Sequence, residues 1–348
     1  PTVPSRWLLR LDTVLRAVGL APGTEGASEG ALGPEPEITA AAVLRDQPGR
    51  HRPTPPVAPC PPLAARPRQL SVTQIETWIR DPYAIYARHI LRLRALDELD
   101  VDPGRAELGI KVHEALAKFI ERYPHALPPS AEAELIEIGR AAFGAMLSRP
   151  GVWAFWWPRF ERIARWFVAE ERVRRADIAL SLSERRGSLV IPAPAGPFTI
   201  VALADRIDRL HSGEMVLIDY KTGALPQKRE IDNAVAVQLP LEGAIARDGS
   251  FEGARGGIAI SGRIAALEYW RLPGGEPAGM RHPLGGDDPT ALVERVSAAV
   301  SALIDRFDDP ATQYRPVPVL QWAPRFSDYR HLERLDEADA EPEPEAEP

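Results

Sequence analysis

The period of the apolar positions changes several times along this chain. Near the N-terminus, "PSRWLLRLDTVLRAVGL" spaces its apolar residues as an amphipathic helix, with Ser5 placed to cap it and Gly19 to stop it. A second short helical stretch follows. From Pro48 to Pro67 the pattern vanishes into eight prolines in twenty residues, the composition of a semi-rigid extended linker. Helical spacing returns in "QLSVTQIETWIRDPYAIYARHILRL", where Thr73 and Glu76 have capping-box spacing and Asp81-Pro82 starts a further helix. Residues 106–122 and 158–177 continue the helical pattern. After Ser181 the period drops to two: "SLVIPAP", "FTIVALADRIDRL" and "EMVLIDYKTG" read as consecutive strands, with turns at Gly196-Pro197 and Ser212-Gly213. A helix over 232–247, the strand "AALEYWRL" and a closing helix over 289–307 complete a mixed α/β core.

Composition narrows the picture. The 348 residues have room for more than one unit. The chain opens at Pro1 rather than a methionine, which predicts the C-terminal part of a longer protein. No apolar run approaches the length of a membrane span, and no signal peptide is visible, so a cytoplasmic protein without a membrane partner is expected. The single cysteine, Cys60, excludes a disulfide framework or a four-cysteine metal site built from this chain alone. Net charge is −7, but the tail from Asp336 to Pro348 carries seven acids and no base, so the rest of the chain is neutral overall. A local basic channel for nucleic acid is compatible with that balance.

Against this background "LIDYKTG" at 217–223 stands out, because a strand of buried character ends in an acid and a base. On a strand, Asp219 and Lys221 share one face and Tyr220 points away. Asp205, in "ALADRIDRL", lies as far before the hairpin turn as Asp219 lies after it, which makes the two carboxylates cross-strand neighbours. Two carboxylates so placed repel unless a cation lies between them, and a hard divalent ion with oxygen ligands fits. Lys221 would then orient a water or stabilise charge on a phosphate. The plain alternative is an ordinary Asp205–Lys221 ion pair across the strands, with Asp208 on the opposite face pairing only with Arg206 or Arg209.

The ordered motifs "GIKVHEAL", "ADRIDRL", "LIDYKTG" and "QLPLEGAIA" resemble the RecB-like branch of the PD-(D/E)XK nuclease superfamily. The flanking "LSVTQIETWIRDPYAIYARHIL" and "DYRHLERLDE" resemble, within that branch, the AddB-type nuclease domains of AddAB helicase–nucleases. The resemblance covers most of 68–336, and "PTVPSRWLLRL" is similar to the end of the helicase-like region that precedes such domains. It implies a restriction-endonuclease-like fold, a mixed central sheet flanked by helices, over 68–335. Ahead of that domain come a helical end of the helicase-like region at 1–45 and the linker at 46–67. A disordered acidic tail at 336–348 follows it. It also implies His113, Asp205 and Asp219 as ligands of Mg²⁺ or Mn²⁺, with the backbone carbonyl of Tyr220, and Lys221 as the catalytic lysine. Gln238 would order Lys221 or touch DNA. The reaction implied is hydrolysis of DNA, on the 5′-terminated strand, in complex with an AddA-type partner subunit.

Two departures from the family pattern matter. Where many AddB-type domains begin a four-cysteine iron–sulfur staple, this chain reads Asp81-Pro82-Tyr83, so no cluster is expected and the helices of 73–95 should dock by apolar packing alone, through Ile75, Trp78, Ile79, Ile85 and Ile90. Ala202 stands where glycine is usual. Basic and aromatic residues interleave along 153–175 (Arg159, Arg162, Arg165, Arg172, Arg174 and Arg175 behind Trp153, Phe155, Trp156 and Trp157), a pattern that suits a single-strand groove. Yet Phe160, Ile163, Trp166 and Phe167 in the same stretch have core spacing. A nuclease fold kept only as a DNA-binding scaffold and a free-standing RecB-like exonuclease are the competing readings. The complete His113, Asp205, Asp219 and Lys221 set weighs against the first, and the helicase-like opening helix against the second.

Overall fold

The structure is a computed structural model that describes residues 6–19, 57–96, 104–253, 259–286 and 288–335. The chain divides into two units, one of Pro1–Pro55 with Asp336–Pro348 and one of Pro56–Leu335. In the first, the described residues form helix α1 (Arg6–Ala17), which leaves Trp7, Leu9, Leu11 and Val14 exposed. The second short helical stretch of 20–45, the start of the proline-rich linker and the acidic tail lie outside the described residues.

The second unit is built on one seven-stranded mixed sheet. In chain order it contains β1 (Gln69–Ser71), α2 (Val72–Arg80), α3 (Arg105–Arg122), α4 (Ala131–Phe143), α5 (Trp157–Arg174), β2 (Ile178–Ile191), β3 (Phe198–Leu210), β4 (Met215–Lys221), α6 (Gln238–Asp248), β5 (Ser250–Phe251), β6 (Ile264–Arg271), β7 (Met280–Leu284) and α7 (Pro289–Asp308). The strand order is β5-β2-β3-β4-β6-β7, with β1 pairing parallel to β3 beyond the point where β4 leaves it. β2–β3–β4 is an antiparallel meander, and β4–β6 is parallel.

Helices cover both faces. Met215 and Leu217 of β4 bury against α2, α6 and α7, whereas Val216, Ile218 and Tyr220 bury against α3, α4 and α5. The period-two reading of this strand therefore corresponds to burial on two faces, which is why its run reads as nearly continuous hydrophobic residues. The side chains of β2 and β3 change faces partway along. Leu182 and Ile207 face the α6 side, but beyond Glu184 and Asp205 that side receives Leu189 and Ile191 from β2 and Ile200, Ala202 and Ala204 from β3. The exchange of odd for even positions falls at one cross-strand pair, Glu184 opposite Asp205, as the flanking partners Ser183↔Arg206 and Arg185↔Ala204 fix. Glu184 has φ of +51°, the left-handed region that a residue with a Cβ seldom adopts.

Several boundaries differ from expectation. The capping box of α2 is Ser71 with Gln74, since the Ser71 hydroxyl accepts from Gln74 N and the Gln74 side chain accepts from Ser71 N. Glu76 is unavailable for that role because it accepts from the backbone of Gln238. The helix expected over 232–247 is two, Lys228–Asp232 and α6, broken where Ala234 takes φ of +52°. The end of the linker is packed: buried Arg66 donates to the carbonyls of Phe307, in the last turn of α7, and of Asp309, Pro310 and Thr312 just past it. Docking of 73–95 is not apolar alone, for Asp81 is buried beside the carboxyl of Glu333 and Arg80 pairs with Glu230 at 3.0 Å.

Candidate active site

β4 ends in Asp219, Tyr220 and Lys221. Because Met215 and Leu217 face α6, Asp219 and Lys221 follow them to that side, and the Tyr220 ring goes to the opposite core. Lys221 Nζ lies 2.8 Å from Asp219 Oδ2 and donates to Asp219 Oδ1 at 3.0 Å and to Gln238 Oε1 at 3.2 Å. Gln238 Nε2 donates in turn to Asp219 Oδ1 at 2.8 Å, which closes a ring of three side chains. Gln238 is the first residue of α6. Its backbone N–H, which has no partner within the helix, donates to Glu76 Oε1 at 3.0 Å, and its Nε2 also reaches Glu242 Oε1 one turn later at 3.3 Å.

Burial dominates the electrostatics. It pushes Asp219 up to about 6, with Lys221 pulling it down and Asp205 pushing it further up. Burial works against the charge on Lys221, but Asp219 holds that group above the ordinary lysine value, so it is an ammonium. Burial and the nearby Asp219 and Asp205 charges raise Glu242 well above the usual carboxylate range.

Asp205 sits one step beyond the last β3–β4 pair, Arg206↔Ile218, which sets it opposite Asp219 as the hairpin symmetry predicts. Its two oxygens serve different neighbours: Oδ2 accepts from Tyr220 N at 2.8 Å, and Oδ1 lies 3.3 Å from His113 Nδ1. His113 comes from α3 and meets the Tyr220 ring edge-on at 5.8 Å. Burial lowers the affinity of its ring for a proton, yet the Asp205 and Asp219 carboxylates raise it above the ordinary histidine value. One turn before His113, Gly109 lets α3 approach the end of β4, since a Cβ there would stand 3.0 Å from Thr222 Oγ1. His113, Asp205, Asp219, Lys221, Gln238 and the amide of Tyr220 thus meet at one place.

Glu184 was absent from the sequence reading. Ligand atoms of His113, Glu184 and Asp205 all lie within 4.8 Å of one another, a group that excludes Asp219. Hairpin symmetry would have found it if centred on the turn that forms, where Gly196 N bonds Ala193 O, rather than on Gly196-Pro197. Clefts of about 750 Å³ and 620 Å³ open on either side. The first is lined by His113, Glu184, Arg185 and Asp205 and the second by Thr73, Arg186 and Gln238, and Leu203 borders both.

The basic stretch of α5 is largely occupied inside the fold. Arg162 donates to Gly274 O, Arg172 to Pro129 O, and Arg165 lies 3.6 Å from Glu132. Arg174 pairs with Asp208 and Arg175 with Glu171. Trp157 is buried, and Trp153 stacks on it while remaining exposed, as does Phe155. The cations at the clefts are instead Arg185 and Arg186 of β2, with Lys118 of α3, which is paired with Glu114. Among the described residues, no helix is long and apolar enough to cross a membrane.

An uncharacterized protein of Rickettsia bellii is 29% identical over 185 residues, 53% of this chain and 22% of its own length. RC0550 of Rickettsia conorii, also uncharacterized, is 28% identical over 189 residues, 53% of this chain and 23% of its own. The chain therefore spans under a quarter of the length of these relatives. The crystal structure of SSO0001 aligns at 12% identity and a TM-score of 0.28, over 68% of this chain and 76% of that one. The family model of the PD-(D/E)XK nuclease superfamily matches residues 69–319. The strands that carry Asp205, Asp219 and Lys221, and the helices that bring His113 and Gln238 to them, all fall inside that match: the chain belongs to the PD-(D/E)XK nuclease superfamily.

Proposed function

We propose that this chain is the metal-dependent nuclease domain of an AddB-type subunit, hydrolysing DNA phosphodiester bonds within a helicase–nuclease that processes double-strand breaks. The observation that carries the reading is the closed Lys221–Asp219–Gln238 ring set against the His113–Asp205 pair. The donor set suits Mg²⁺ or Mn²⁺: two carboxylates, an imidazole and the Tyr220 carbonyl would hold it. Asp219 Oδ2 is buried with the Lys221 ammonium 2.8 Å away and no other donor upon it among the described residues, so it keeps a lone pair for such a cation. When bound, the cation supplies Lewis-acid polarisation of the phosphate and offsets the charge that builds during displacement.

The chain's own residues do the rest. Of the three donors on the Lys221 ammonium, Asp219 and Gln238 engage two, which leaves the third for a phosphate oxygen or a water. Gln238 fixes that ammonium in place through bonds on both sides of its own amide. Arg185 and Arg186 place positive charge where a phosphate backbone would run. The 5′-terminated strand as substrate and an AddA-type partner are carried by the resemblance of the motifs and their flanks.

Degradation of end-labelled single-stranded DNA in Mg²⁺ or Mn²⁺ tests the reading, with Asp219→Ala and Lys221→Ala beside the wild type. Cleavage that disappears in both variants and with chelator is expected, a loss of at least a hundredfold. Equal cleavage by all three proteins would remove the site assignment. An inactive wild type should regain cleavage when assembled with the partner subunit, and failure there would overturn the proposal.

A further inference from the structure

We propose that Glu242 is a positioning residue for Lys221: acting through the side-chain amide of Gln238, it fixes the direction in which the Lys221 ammonium meets substrate. The inference deepens the nuclease reading above and rests on it for what that ammonium does. Three observations lead to it. Gln238 Oε1 accepts from Lys221, and its Nε2 donates to Asp219 Oδ1 at 2.8 Å and to Glu242 Oε1 at 3.3 Å, so both ends of the amide are committed. Glu242 lies on α6 one turn after Gln238 and is 1% exposed, which shields that contact from water. Finally, the Gln238 backbone N–H is tied to Glu76 of α2 at 3.0 Å, so the side chain hangs from a fixed main chain.

Two acceptors decide the orientation. An amide with one N–H bonded can pivot about that bond, whereas bonding both N–H groups fixes its plane. Turned end for end, the amide would set its oxygen against two carboxyl groups and its N–H groups against an ammonium, which has no acceptor. Gln238 Oε1 is therefore kept on Lys221. Glu242 holds this place at a cost to the fold, because its Oε2 is buried with no hydrogen-bond partner among the described residues. Methionine would fill nearly the same space without that cost. Stability and the placement of Lys221 pull in opposite directions at this residue, which a packing role would not produce.

Glu242→Met and Glu242→Gln, compared in the full chain, test this. The first measurement is proton exchange of the Gln238 side-chain amide by nuclear magnetic resonance on glutamine-labelled protein, with the signal assigned by its loss in Gln238→Met. Glu242→Met should speed that exchange about tenfold, while the melting temperature holds or rises. Glu242→Gln keeps an acceptor oxygen and should leave exchange near the wild-type rate. In Mg²⁺-dependent cleavage of single-stranded DNA, Glu242→Met should lower kcat about tenfold with KM little changed, and Glu242→Gln should recover most of that loss. In a Gln238→Met background, Glu242→Met should have no further effect on kcat. Unchanged exchange in Glu242→Met, or a loss of kcat that comes with a lower melting temperature and is not recovered by Glu242→Gln, would overturn the proposal and leave the nuclease reading standing. A wild type that cleaves nothing even with its partner subunit would overturn the nuclease reading, and the role of Lys221 with it, whereas exchange that responds as expected would still establish the hold of Glu242 on Gln238.

Discussion

Arg206 lies wholly buried beneath the strand that carries the site. Its guanidinium spans Glu171 of α5 and Asp208 of its own strand, donates to Ser181, and reaches the Tyr220 hydroxyl at 3.4 Å. Arg174 reaches Asp208 at 3.1 Å and Arg175 reaches Glu171 at 3.0 Å. Breaking such a network from one side strands buried carboxylates without partners. Arg206→Met should therefore cost about 3–5 kcal/mol in urea unfolding, and adding Glu171→Gln should recover part of that loss. Because Tyr220 stands between Asp219 and Lys221, the variant should also weaken cleavage through β4. At this scale Asp208 was legible in the sequence as a partner of Arg206. The burial of Arg174 and Arg175 was not, since the spacing of arginines on a helix does not reveal that acids from α5 and β3 meet them.

The β2–β3 ribbon owes its use to an irregularity. A regular ribbon would send Asp205 to the same face as Leu203 and Ile207 along its whole length. The face exchange at Glu184 instead brings α6-side and α3-side chemistry to one pair of residues. Glu184→Gly should then leave the thermal midpoint unchanged or higher, because relief of about 1 kcal/mol of left-handed strain offsets the entropy of the added glycine. Arg186→Gly, two residues on, has no such relief and should lower stability by about 0.5–1 kcal/mol. Paired melting curves decide it. The meander and its D-x-K ending were readable from period-two runs, as were α3, α5 and α7 from helical spacing. The kink was not, because an unbroken period is what sequence patterning assumes. α4 escaped because "AEAELIEIGRAAF" buries Ala131, Leu135, Ile138 and Ala142 behind a largely acidic surface.

At the scale of the whole second unit, its two ends are fastened together. Arg66 is stitched to carbonyls in the last turn of α7 and beyond it, and Tyr314 N donates to Pro59 O at 2.8 Å. Asp81 is buried against Glu333, with the amides of Ala84 and Val317 facing it, and Ser327 donates to Glu333 at 2.6 Å. Burial first, then the Glu333 charge, pushes Asp81 up to about 7. A folded value above the unfolded one, about 3.9, means that the native state holds the proton more tightly. The stability it contributes is complete below about pH 4, falls as pH rises and is gone above about pH 7. Asp81→Asn should accordingly raise the melting temperature at pH 8, with a smaller gain at pH 5. The sequence showed that no cysteine stands at this junction, but only the fold could show that the far end of the domain supplies an acid to it. Val57 and Leu332 pack on the same small cluster of Tyr83, Ala84, Ala87 and Tyr329. Tension applied between residues 57 and 335 would therefore load that cluster before any strand. It would peel apart at low force, a few contacts at a time, while the sheet bearing Asp205 and Asp219 stayed off the load path. A domain loaded at these two points would keep the geometry of its candidate site intact.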